Sequence, residues 1–142
     1  NQIICMGTIN SLCLGSLVEF LNETLDIKRT YGTQYLTISL NILRFPSFQS
    51  AVVLPKRIKD DVAQQLSIKL KLFKDDLHEM EANQIARLIE YLKTIETPHT
   101  GADTLDKLQR DFKNFYTQYD TRRGKSFEKT FSNELVTWYE QI

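Results

Sequence analysis

The residues best equipped for chemistry lie in "YDTRRGKSFEKTF", 119 to 131, where Arg122, Arg123 and Lys125 surround Gly124 and aromatic residues stand on both sides. Paired guanidiniums recognise carboxylates and phosphates through parallel hydrogen bonds, so an anion site is one reading of the stretch. A helix end is the other. Cations in a last helical turn offset the negative end of the dipole by about 0.3–1 kcal/mol each, and glycine takes the left-handed conformation that follows. Capping accounts for Gly124 and one arginine. Asp120, the second arginine and the aromatics Tyr116, Tyr119, Phe127 and Phe131 call for more. The expectation is that Phe127 and Phe131, one helical turn apart, anchor the segment on the helix ending near Tyr119. Asp120 is expected to clamp one arginine, leaving the other for an anion.

Other residue types with catalytic potential are sparse. His78 and His99 are the only histidines, and neither has cysteine or carboxylate partners at metal-ligand spacing, which points to surface or loop positions. Cys5 and Cys13 match neither a zinc knuckle nor a redox pair and read as buried thiols in a reducing compartment. The Asp-Asp pairs at 60–61 and 75–76 read as water-facing, and there is no glycine-rich phosphate loop or nucleophile elbow. The chain offers no independent active site and no metal-ligand set of its own.

Composition narrows the partners. Eighteen basic residues balance eighteen acidic ones, so no overall field draws the chain to nucleic acid or to an acidic membrane surface. No apolar run approaches the roughly 20 residues needed to cross a bilayer. A cytoplasmic chain is expected. At 142 residues it has the size of one domain, long enough to bury a real core. It enters an apolar run at Ile3 with no basic leader before it, and the expectation is that its natural start lies upstream.

The elements that must position these residues follow from periodicity. "IICMGTI", 3–9, reads as a strand covered on both sides. Ser16 and Glu19 stand at capping-box spacing before a helix carrying Leu17, Val18, Leu21 and Leu25. "YLTISLNIL", 35–43, alternates: Leu36, Ile38, Leu40 and Ile42 face one way, Thr37, Ser39 and Asn41 the other. Strand, helix and strand form a βαβ unit with parallel strands, and two parallel strands need further neighbours. "SAVVL", 50–54, is strand-like or an extended approach to Pro55. Beyond it the periodicity is helical, with Ile58, Val62, Leu66 and Leu70, then 77–95, then a helix capped by Asp103 and ended by Gly124, then one from Ser132. The expected fold class is α/β, with the βαβ unit over 1–54 and a mainly helical C-terminal extension over 55–142.

One face of the second strand is aliphatic and the other carries small polar groups, matched on the first strand by Met6, Thr8 and Asn10. That pattern suits a barrel-like sheet whose polar face lines a lumen. Ligands in such sheets sit at the carboxyl ends of strands, which brings forward Asn10, Ser11, Asn41 and Arg44.

The succession "TINSLCLGSLVEFL", "LNILRFPSFQSAVVLP", "FYTQYDTRRGKSFEKTF" and "WYEQI" resembles the C-terminal half of radical SAM proteins of the short "twitch" type found in phages and bacteria. The likeness covers most of the chain and is most distinctive in "LRFPSFQS…LP" and "YDTRRGKSF". It implies that the two strands end a partial (β/α)6 barrel and that the helices cover its open side. It further implies S-adenosylmethionine and a 4Fe–4S cluster in the full-length protein, the cluster held by a CxxxCxxC loop. No such loop occurs in these 142 residues. The partner implied is therefore the N-terminal half of the same barrel, and the chain alone would hold neither cofactor. Lumen-facing positions that would touch S-adenosylmethionine or substrate fall on Asn10, Ser39 and Asn41, with Arg44, Arg122 and Arg123 as a substrate or structural anion site. The alternative is a small helical interaction module that docks an anionic partner through Arg122, Arg123 and Lys125.

Overall fold

The computed structural model describes residues 1–142. Strand β1, Ile3–Ile9, leads through a 3-10 turn at Leu14–Ser16 into helix α1, Leu17–Tyr31, and strand β2, Leu36–Ile42, follows. The strands pair in parallel, Ile3 opposite Leu36 through Ile9 opposite Ile42. This is the βαβ unit, and it is the only sheet. Helices α2, Lys56–Leu72, and α3, Glu79–Thr94, pack along each other. Then come α4, Leu105–Arg123, a single turn α5, Phe127–Thr130, and α6, Asn133–Gln141.

Leu36, Ile38, Leu40 and Ile9 are buried on the aliphatic face of the sheet. They join one continuous core that runs through Leu17, Leu21, Val62, Leu66 and Leu88 to Phe112, Trp138 and Tyr139. The stripe expected on α2 is inward, with Ile58, Val62 and Leu66 all buried. Phe127 is the anchor of the C-terminal segment. It is buried, stacks on Tyr139 with ring centroids 4.0 Å apart, and meets Phe112 and Tyr116 on α4.

The two edges of the sheet differ. Ile3 N–H donates to the Tyr35 carbonyl, and Leu43 N–H to that of Ile9. In a parallel ladder this turns the odd-numbered backbone of β1 toward β2 and leaves the even-numbered groups of both strands pointing outward. On β2 the outward N–H groups meet α3: Ile38 N–H donates to Glu81 Oε2 and Leu40 N–H to Gln84 Oε1, each at 2.7 Å. On β1 no helix or strand covers the outward groups of Ile4 and Met6. The strand is therefore not covered on both sides as its apolar run predicts. Ile3, Ile4 and Met6 are 66%, 60% and 73% exposed.

Several local expectations are corrected. "SAVVL" is a 3-10 turn at Ala51–Val53, its three residues buried. It rests against α4, where Gln109 Nε2 donates to the Val53 carbonyl. The Ser16 hydroxyl donates to the Cys13 carbonyl, and no side chain caps α1. Thr104, not Asp103, stands at the start of α4. The helix read over 77–95 begins at Glu79, after His78.

Candidate functional site

At the carboxyl end of β1 the chain turns on Asn10. Its Oδ1 accepts from the N–H groups of Leu12 and Cys13, both at 3.0 Å. The turn is tightened by the Cys13 thiol, which accepts from Asn10 N–H and donates to the Thr8 carbonyl. Ser11 is buried, and both its N–H and its hydroxyl donate to the Gln49 carbonyl at 3.0 Å. Asn10 and Ser11 thus hold the loop in place, and only the Asn10 amide nitrogen is left for a ligand. Cys5 and Cys13 are half-buried rather than core thiols.

Ser39 and Asn41 lie on the face that Ile4 and Met6 leave open; Ser39 is half-buried and Asn41 exposed. Thr37 on the same face is buried, its hydroxyl accepting from Gln2 Nε2 at 2.7 Å. The polar residues expected to touch S-adenosylmethionine do not close around one space. Asn10 lines a cavity between the β1 turn and the start of α6, Asn41 lines another beside α3, and Ser39 lines neither. They form a wall rather than a pocket. No three His, Cys, Asp or Glu side chains converge where they could hold a metal ion, so these residues do not fit a 4Fe–4S cluster by themselves.

Arg44, just past the end of β2, sets its guanidinium 5.0 Å from the centre of the Tyr91 ring. Tyr91 is buried, and burial pushes its phenol above the ordinary tyrosine range, with a Ser50 hydrogen bond and the Arg44 charge acting the other way. Arg87, Gln84 and Asn41 line the same cavity. Arg44 and Arg87 are both exposed and belong to none of the ion pairs of the chain.

Arg122 and Arg123 sit in the last turn of α4, and Gly124 ends it in the left-handed conformation, φ 59°. The expected clamp is absent. Asp120 Oδ2 instead accepts from the Phe127 N–H at 2.7 Å, fixing the chain reversal into α5. Both arginines and Lys125 are exposed and unpaired. Tyr119 and Phe115, one and two turns back on the same face, are exposed with their rings stacked at 6.5 Å.

The most constrained polar residues escape the sequence reading. Lys28 Nζ and Glu81 Oε1 are 2.7 Å apart, both side chains fully buried. Glu81 Oε1 also accepts from His78 N–H at 2.8 Å, while Oε2 takes the Ile38 N–H. His78 itself is exposed, with Nε2 3.1 Å from the Thr33 carbonyl. His99 is exposed in the segment after α3.

No protein-family model, curated protein or solved structure matches this chain.

Proposed function

We propose that the chain is the closing segment of a larger parallel α/β sheet, and that the whole is a radical SAM enzyme of the kind its sequence resembles. The observation that carries this reading is the difference between the sheet edges. An edge whose Ile38 and Leu40 N–H groups are taken up by Glu81 and Gln84 of α3 is a covered one, whereas β1 presents unpaired backbone and large apolar side chains. Proteins protect such edges by pairing or covering them, so β1 is where further strands add. On this reading Asn10, Ser39 and Asn41 contribute one wall of a lumen built with the added strands, and α4 to α6 cover its side. S-adenosylmethionine and the cluster belong to the assembled protein, and catalysis needs both parts.

The test is to express the protein from the full reading frame, reconstitute it with iron and sulfide without oxygen, and assay 5′-deoxyadenosine from S-adenosylmethionine. The expected result is a stoichiometric cluster on a CxxxCxxC loop outside these residues, with turnover lost when residues 1–142 are removed. A reading frame without that loop, or a whole protein that forms no cluster, overturns it.

A second reading has its own observation, the two unpaired arginines beside exposed Phe115 and Tyr119. Aromatics and arginine are the residues that dominate protein interfaces, and an acidic protein partner would satisfy both. A pull-down that survives removal of the cluster loop but fails with Arg122→Gln and Arg123→Gln together would favour it.

A further inference from the structure

We propose that the corner between the end of β2 and the middle of α3 binds the carboxylate of a small molecule. The inference needs only residues of this chain and does not rest on the radical SAM reading.

After Leu36, the outward N–H groups of β2 form a row: Ile38, Leu40, Ile42. Helix α3 runs beside them and supplies an sp² oxygen to the first two, from Glu81 and then Gln84, each at 2.7 Å. One turn further on it offers Arg87 and Leu88. Leu88 is apolar and fully buried, and arginine carries donors only. The Ile42 N–H, third in the row, therefore has no acceptor in the protein. Donors surround it. Arg44 and Arg87 line the cavity here, along with the side-chain amide of Asn41. Three kinds of donor, none taken up by an acceptor of the protein, describe a place for an oxyanion.

The geometry selects among oxyanions. A planar carboxylate continues the pattern that Glu81 and Gln84 set, with one oxygen on Ile42 N–H and the other toward a guanidinium fork. Arg44 is held for this by the Tyr91 ring 5.0 Å beneath it, so little side-chain freedom is lost on binding. Glu90 and Glu96 also line the cavity. They disfavour a polyanion and admit a ligand whose remainder is neutral or cationic. At about 550 Å³ the cavity has the size of a small-molecule site.

Butyrate and 4-aminobutyrate serve as probes, with inorganic phosphate and citrate as contrasts, observed by saturation-transfer NMR on the intact chain. Both monocarboxylates are expected to bind saturably, with phosphate and citrate weaker. Arg44→Gln and Arg87→Gln should each weaken butyrate by about tenfold, the scale of one charge-assisted hydrogen bond. Arg87→Lys, which keeps the charge and loses the fork, should fall between. Arg110→Gln, at an exposed arginine of α4 outside this cavity, should bind as the parent does. Circular dichroism of each variant checks that the fold is kept, as expected for exposed side chains. The proposal is overturned by no saturable binding to the parent, by binding unchanged in both Arg→Gln variants, or by phosphate or citrate binding more tightly than butyrate.

Discussion

Glu81 satisfies three donors with two oxygens: Lys28 Nζ, His78 N–H and Ile38 N–H. Removing one partner of a buried ion pair leaves the other charge stranded, so Glu81→Ala should cost about 3–5 kcal/mol in urea unfolding. Replacing both members of such a pair by apolar residues is often harmless elsewhere. Here the combined Lys28→Met and Glu81→Leu protein should remain destabilised, because the buried Ile38 N–H would lose its acceptor at about 1–3 kcal/mol. A double variant as stable as the parent would refute that role. Both residues left a legible trace, since Lys28 lies on the α1 stripe of Leu17, Leu21 and Leu25, and Glu81 on the α3 stripe of Ile85, Leu88 and Leu92. A charge on an apolar stripe marks a buried partner. Matching charge to charge pairs Asp120 with an arginine, while its carboxylate serves a backbone donor that sequence does not display. Tyr116 adds a pH signature. Burial first, and then Tyr119 beside it, push its phenol up to about 12. A raised value means the neutral phenol is favoured by folding, so its contribution is complete below about pH 10, the unfolded value, and is lost as pH climbs toward 12. Ultraviolet titration should show this tyrosine ionising late, and Tyr116→Phe should flatten the alkaline decline in stability.

Among the elements, β2 was legible to within one residue at each end because a sheet with one helical face writes period two into its sequence. The stretch 50–54 was not. Its two valines favour a strand, yet with no strand to pair with, Ala51, Val52 and Val53 are better buried under α4 as a 3-10 turn. The polar face of β2 shows in its alternation, but which cavity Asn10 and Asn41 line does not, since Asn10 Oδ1 turns back onto its own loop. The C-terminal elements hang on one ring. Phe127→Ala should cost about 3–5 kcal/mol and free α5 and α6 to proteolysis, whereas Phe131→Ala, at a half-buried ring, should cost less. Arg122→Lys and Arg123→Lys should leave stability within about 0.5 kcal/mol, because neither guanidinium makes a fold contact.

At the scale of the whole molecule, one sheet edge is covered by α3 and the other is available. The isolated chain should self-associate through β1, and Ile4→Lys with Met6→Lys should return it to a monomer in light scattering without loss of helix. A parent chain that stays monomeric at all concentrations would show that the edge is protected in some other way. The acceptors from α3 also set an order of events in time. Residues 36–42 leave the ribosome some forty residues ahead of Glu81 and Gln84, and at about 5–20 residues per second that is a delay of seconds. Through that interval β2 offers the same bare N–H row that β1 offers afterwards, and Lys28 waits without its counter-charge. Nascent chains halted before α3 has left the ribosome should therefore be bound by chaperones more than those in which it is fully out.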